Sequence, residues 1–207
     1  MSSVFIACCT RGFVRSEMVE GLVKEIETLM KNNIKFIFKV YRRRGIDNAR
    51  NHAVKDFLSS NYEFLLFVDS DIVMDGQTIL KLLMKKEKVV SAIARITPDL
   101  VNAFSKVKRS RKYRYGYKEY SLGEIVSLPR NSKNLILVDA VATACVLIHR
   151  DVFKKLRKPY FLGSNGEDLY FCRKLNKADI PIYIAFDVRV GHIKSRRYDL
   201  FDSAFIL

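Results

Sequence analysis

The first seventy residues switch repeatedly between two kinds of hydrophobic pattern, and that alternation restricts the fold more than any other feature. Val4 to Cys9 is a continuous apolar run ending in Thr10-Arg11-Gly12, which predicts a buried strand opening into a loop. Val19, Leu22, Val23, Ile26, Leu29 and Met30 recur at helical spacing, with Ser16 available as an N-cap and Asn32-Asn33 as a stop. Ile34 to Tyr41 alternates apolar and basic residues like a strand, Asp47 is placed to cap a helix carrying Ala49, Ala53, Val54, Phe57 and Leu58, and Phe64 to Val68 is a third apolar run. The order β-α-β-α-β predicts an α/β fold with a mostly parallel sheet flanked by helices, whose ligands bind beyond the carboxyl ends of the strands. Thr10-Arg11, Arg42 to Asp47 and Asp69-Ser70-Asp71 each follow one of the three strands, so three polar segments are expected along one sheet edge.

The remainder is read more coarsely. Asp75 is expected to cap a short helix through Leu83, Val89 to Ala94 to form a strand, Leu135 to His149 another, Asp151 to cap a short helix, Gly166 to Lys177 to be helical and Ile182 to Phe186 to close the sheet. Between Thr97 and Tyr120 no period is sustained and Lys, Arg and Tyr dominate. This stretch reads as a long basic surface loop, joined to a hairpin through Ile125 to Leu128. The 207 residues fit one domain, 1–207, with the basic loop at about 97–120 and a lid or tail at 193–207.

The apolar runs fall well short of the roughly 20 residues that cross a bilayer, and the N-terminus lacks the basic stretch of a signal peptide. A cytoplasmic protein is therefore expected, in peripheral contact with a membrane surface at most. Four cysteines without a CxxC argue against a disulfide framework or a zinc knuckle. The net charge of +15 bears on partners: a basic surface attracts the phosphates of nucleotides, nucleic acids or anionic membranes, or is simply a solvated face. There is no GxGxxG, GxxxxGK[ST] or GxSxG, which removes support for dinucleotide, P-loop and hydrolase-elbow readings.

FLLFVDSDIVMD carries the sharpest chemistry. A strand ending in Asp-x-Asp sets two carboxylates, Asp69 and Asp71, at the sheet edge, where they can share a divalent cation that in turn holds a diphosphate. The bland alternative is that Asp69 caps a turn and Asp71 is solvated. NARNHAV precedes this element, and CVLIHRDVF, SNGEDLYFCRKL and VRVGHI follow it. Together these segments resemble the GT-A glycosyltransferases of the large inverting family that uses nucleotide-diphospho-sugars, along nearly the whole chain.

The resemblance implies the GT-A nucleotide-diphospho-sugar transferase fold, a manganese or magnesium ion, and transfer of a hexose with inversion to a hydroxyl of a glycan, protein or lipid. It places the metal on Asp69, Asp71 and His192, the donor near Arg50 and Asn51, and the base on Asp168 or its neighbour Glu167, with Asp168 favoured. Thr143, Ala144 and Cys145 resemble the family's small-residue segment near acceptor and sugar. On chemical grounds Thr10 lies at the sheet edge, Arg11 and Arg50 are candidates for nucleotide or diphosphate contact, and Lys194, Arg196 and Arg197 either supply the charges of a lid or form a solvated basic tail. Glu167 and Asp168 also head a helix, whose dipole favours carboxylates in any protein and tends to lower their pKa. His52 and His149 read as structural.

Two other readings fit parts of the sequence. A sugar-phosphate nucleotidyltransferase shares the fold type but usually carries a Gly-rich basic loop after the first strand, which CCTRGFVR matches poorly. A nucleic-acid-binding module would use the tyrosine-interleaved basic segment from Lys106 to Tyr120, which could equally face anionic lipid or hold a phosphate-bearing acceptor. The oligomeric state is left open.

Overall fold

A computed structural model describes residues 2–163 and 166–193, with the backbone of 197–198. Lys194, Arg196, Ser164 and most of the expected tail lie outside the described residues, as does the side chain of Arg197. The elements run β1 (Ser3–Thr10), α1 (Ser16–Lys31), β2 (Lys35–Arg42), α2 (Ile46–Leu58), β3 (Phe64–Asp69), β4 (Ile72–Val73), α3 (Thr78–Met84), β5 (Val89–Ala94) and β6 (Leu100–Lys106). They continue through β7 (Tyr117–Ser121), α4 (Leu122–Val126), β8 (Leu135–Val138), β9 (Ala140–Val141), β10 (Cys145–His149), α5 (Arg150–Lys154), α6 (Glu167–Lys177), β11 (Ile182–Ile193) and β12 (Arg197–Tyr198).

The main sheet has the order β12-β11-β5-β10-β3-β1-β2, with β4 and β8 also paired to β11. β1 is parallel to β2 and β3, and β11 is parallel to β5, while β10 runs antiparallel between β3 and β5. Strand alternation divides the core. Val4, Ile6 and Cys8 join a cluster with Met18, Leu22, Leu29, Ile79 and Leu82 of α1 and α3. Phe5, Ala7 and Cys9 join one with α2, α5 and α6 on the opposite face. Two buried faces explain why these strands read as continuous apolar runs rather than alternating ones. All four cysteines are free and buried, and among the described residues no helix is long and apolar enough to cross a membrane.

Several sequence expectations need correction. Residues 97–120 are not one loop: β6 and β7 form a hairpin that joins β9 in a second, three-stranded sheet. Asn102 hides this strand from a hydrophobicity reading. Its side chain is 1% exposed, accepting from the Ala94 N–H and donating to Ser91 Oγ and Ala92 O, a polar core residue made tolerable by full pairing. The expected hairpin at Ile125 is helix α4, started by a capping box in which Ser121 and Glu124 satisfy each other's backbone N–H. The stretch from Leu135 to His149 is three strands, and the last strand runs on from Phe186 to Ile193 across a bulge between Ala185 and Arg189.

α1 is rotated from its expected face. Val19, Val23 and Met30 are exposed, while Met18, Gly21, Glu25 and Thr28 point inward beside Leu22 and Leu29. Gly21 permits this, because a Cβ there would lie 2.9 Å from the backbone N and O of Met74. The caps move as well. Ser16 and Asp47 lie inside the first turns of α1 and α2, whose N-cap residues are Arg15 and Gly45, and α5 is capped by His149 rather than Asp151. Thr78 begins α3, and Asp75 lies ahead of it in the preceding turn.

Candidate functional site

Parallel registers carry Thr10, Arg42 and Asp69 to one edge of the sheet, since Thr10 pairs with Arg42 and Cys9 with Asp69. The chain then turns through Ser70 and Asp71 into β4, which pairs antiparallel with the end of β11, Ile72 opposite His192. That pairing, tightened by the Ile193 N–H donating to Asp71 O at 2.8 Å, places Asp71 Oδ2 3.3 Å from His192 Nε2. His192 Nδ1 lies 2.9 Å from the Arg95 carbonyl. An acceptor there fixes the proton on Nδ1 and turns the Nε2 lone pair toward Asp71.

On the other side of Asp69 stands Arg50, 4% exposed, projecting from α2. Its Nη2 donates to Asp69 Oδ1 at 3.2 Å, its Nη1 donates to Thr143 O at 3.3 Å, and its Nε lies 3.4 Å from Glu167 Oε1. Phe67 and Phe161 pack against the guanidinium, with ring centroids 5.6 and 6.0 Å away. One cation is therefore surrounded by Asp69, Glu167 and Asp168, all of which act on it electrostatically. Burial pushes the pKa of Asp69, Glu167 and Asp168 upward, with Arg50 opposing. The lowering expected from the α6 N-terminus does not prevail: desolvation of the carboxylates outweighs the helix dipole and the Leu169 N–H that Asp168 accepts at 2.8 Å.

A cavity of about 710 Å³ lies between the loop after β1 and the Ser70-Asp71 turn, lined in part by Arg11, Phe13, Arg15, Ser70, Asp71 and Ile193; Asp71 reaches it, while Asp69, Glu167 and Asp168 are not among its lining residues. Thr10 shapes its rim, accepting from the Gly12 N–H and donating to Phe13 O, and the Arg15 N–H donates to Ser70 O at 2.9 Å. Phe13 is 91% exposed. The loop was legible as a polar segment after β1. Which of its side chains line the cavity was not, because loop residues carry no period, and Phe13 and Arg15 went unnoticed for that reason.

Asn51 has a different position from its neighbour Arg50. Its amide donates to Asp47 O and Phe161 O and accepts from the N–H groups of Tyr160 and Phe161, pinning the segment that leads to α6. Asp47 also accepts from the Gly163 N–H.

Among the described residues no three His, Cys, Asp or Glu side chains converge closely enough to hold a metal ion. Asp71 and His192 supply an oxygen and an imidazole nitrogen side by side. Two protein donors suit magnesium or manganese, which complete their shells with water and phosphate oxygens, so the donor set fits such an ion when a diphosphate shares it.

No protein-family model matches the sequence, and no curated protein matches it. Solved structures do resemble it in fold. The protein A197 from STIV superposes with TM-score 0.56 at 23% identity, covering 96% of this chain and 90% of that one. A Drosophila β-1,4-galactosyltransferase 7 mutant, in complex with manganese, UDP-Gal and xylobiose, gives TM-score 0.54 at 13% identity over 94% of this chain and 71% of its own. A UDP-glucose pyrophosphorylase with bound UDP-glucose gives 0.50 at 10% identity over 96% and 93%. The chain thus has the α/β architecture shared by GT-A transferases and sugar nucleotidyltransferases.

Proposed function

We propose that this chain is a metal-dependent glycosyltransferase that moves a hexose from a nucleotide-diphospho-sugar to a hydroxyl acceptor, with inversion. The observation carrying the reading is the gathering of acidic groups at the end of β3 and the start of α6: Asp69, Glu167 and Asp168 share Arg50, and Asp71, which faces His192, lines a cavity of about 710 Å³. The fold likeness to a galactosyltransferase crystallised with manganese and UDP-Gal supports it.

In this reading Arg11 and Arg15 bind the diphosphate, and Phe13 offers a face for the nucleobase. Asp71 and His192 would hold the divalent ion together with phosphate oxygens, while Asp69 stays paired with Arg50; when bound, the ion would supply charge stabilisation for the departing diphosphate. Glu167 stays committed to Arg50. Asp168, less buried than Glu167, takes the proton from the acceptor hydroxyl as it attacks the anomeric carbon. Arg50 favours the charged forms of Asp69 and Glu167 against burial and holds both in place.

The test is a thermal-shift panel of nucleoside diphosphates and their sugar conjugates with and without manganese, run on wild type and Asp71→Ala. Ligand present at about a hundred times its Kd stabilises the fold by about 2.7 kcal/mol. Manganese-dependent stabilisation that Asp71→Ala abolishes is expected, and its persistence in that variant would remove Asp71 from the site. Sugar-phosphate nucleotidyl transfer is the second reading, favoured by the pyrophosphorylase likeness and by the two arginines in the loop after β1. Pyrophosphate release from a nucleoside triphosphate and a sugar phosphate would select it.

A further inference from the structure

The β6–β7 hairpin and α6 enclose a second cavity, of about 320 Å³, away from the one beside Asp71. Four cations line it: Lys106 and Arg109 from the hairpin, Arg173 and Lys177 from α6, with Tyr117 and Asn176 between them. No carboxylate lines the cavity, and among the described residues none of the four charged side-chain groups forms an ion pair, the nearby Asp139 carboxylate being taken by the Lys106 backbone N–H at 2.7 Å.

Two details separate this cavity from an ordinary solvated basic face. Arg173 Nε is buried and has no hydrogen-bond acceptor among the described residues, an orphaned donor of the kind native structures rarely keep without a partner. Tyr117, itself buried, accepts from Asn176 Nδ2 at 3.3 Å, which leaves its own O–H to donate. Asn176 in turn is anchored to Asp139 O at 2.8 Å. Guanidinium, ammonium and phenol donors around one opening match the acceptor-only chemistry of a phosphate oxyanion.

The cavity is also tied to the proposed reaction centre. The Tyr115 ring rests on Gly166, where a Cβ would come within 2.9 Å of it, and Gly166 is the N-cap of α6, one residue before Glu167. Arg173 and Lys177 follow Asp168 by five and nine residues on the same helix, about 8 to 14 Å along its axis at 1.5 Å per residue.

We propose that the cavity between the β6–β7 hairpin and α6 is a second oxyanion site, which binds a phosphate group carried by the acceptor. This assignment rests on the transfer reading given above. It identifies the acceptor class as a phosphate-bearing molecule with a free hydroxyl.

Inorganic phosphate titrated into the ¹⁵N-labelled full chain, alone and again with magnesium and a nucleoside diphosphate, tests it. Expected in both titrations are shifts at Gly116, Tyr117 and the Asn176 side-chain amide, with an apparent Kd raised at least tenfold by Arg173→Gln combined with Lys177→Gln in a variant whose spectrum stays folded. Absence of those shifts, an unchanged Kd in the double variant, or displacement of phosphate by the nucleoside diphosphate overturns the site. If phosphate binds there but the nucleoside diphosphate leaves the Arg11 to Ser16 amides unmoved, the transfer reading fails and the acceptor role falls with it, while the oxyanion site stands. Phosphatidylserine vesicles and a single-stranded oligonucleotide form the remaining arms. Binding to either that depends on Lys108, Arg111, Lys112 and Arg114 and survives the double substitution overturns the acceptor assignment in favour of a surface role for the hairpin.

Discussion

Two helix N-termini in this protein receive buried carboxylates and use them in opposite ways. At α3 the carboxylate arrives from another helix: Glu25 of α1, fully buried, accepts from the N–H groups of Gly76 and Thr78 with Oε1 and of Ile79 with Oε2, at 2.8, 2.9 and 2.9 Å. At α6 the carboxylates are the helix's own first residues, Glu167 and Asp168, and they crowd with Asp69 around one guanidinium. Burial raises the pKa in both places. At α3 the backbone donors satisfy the charge and nothing remains to be bound. At α6 the negative charge exceeds its neutralising partner. A helix N-terminus therefore reveals a function only when its carboxylates outnumber the donors and cations that meet them.

The sharpest way to break this contrast is to neutralise one member of the α6 set. Asp168→Asn keeps an oxygen that can accept from the Leu169 N–H, and it removes a partly buried charge. Donor turnover should fall by about 10²- to 10⁴-fold, the usual worth of a general base, while the melting temperature holds or rises. The pH profile sharpens the point. A base must be ionised, and burial lifts the Asp168 pKa above its ordinary 3.8, so the acid limb of wild-type kcat/KM should lie above the normal aspartate range and should vanish from the residual activity of the variant. A large drop in melting temperature with unchanged turnover would make Asp168 another Glu25.

At α3 the reverse outcome is expected. Glu25→Ala strips three buried N–H groups of their acceptor and should cost about 3 kcal/mol or more, since each unmet buried donor is worth about 1–3 kcal/mol. Glu25→Gln should cost less, because its carbonyl oxygen can still serve Gly76 and Thr78, leaving only Ile79 facing an amide. Chemical denaturation of the two variants would show the order. Turnover per folded molecule should be unchanged in both.

The difference between these helix ends also explains what could be read from the chain in advance. Asp69 and Asp71 were legible because they directly end a continuous apolar strand, whereas Glu167 and Asp168 stood out through the resemblance of SNGEDLYFCRKL, their place at a helix start being equally what any protein would show. Arg50 was legible as a residue, but its place between Asp69 and Glu167 comes from α2 packing on the sheet, which no local spacing encodes. Glu25 could not be recognised as the cap of α3, since 50 residues separate it from the N–H groups it meets, and the helical period alone placed Val19, Val23 and Met30 inward instead. β6 was hidden by Asn102, whose burial depends on partners at Ser91, Ala92 and Ala94. In each case the missing information was long-range pairing: local periodicity fixes the elements but leaves their rotation and mutual contacts undetermined.

A third N-terminus provides the smallest test. At α4, Glu124 accepts from the Ser121 N–H and from Lys118 Nζ at 2.7 and 2.6 Å, both in an exposed setting. Its pKa is pulled down to about 2, chiefly by Lys118 and then by Ser121. A depressed carboxylate contributes stability that is present above its unfolded value of 4.5 and is lost as pH falls toward about 2. Glu124→Gln should therefore lose the whole of this small contribution near neutral pH, and its difference from wild type should shrink as pH falls from 4.5 toward about 2. Water and salt screen this exposed pair, so the change should shrink as ionic strength rises, unlike the loss at Glu25, where the donors are buried and screening is weak. Melting curves of both variants at low and high salt, from pH 2 to 7, would separate a carboxylate held by water-exposed partners from one held by the core; equal salt dependence at the two helices would show that burial is not what distinguishes them.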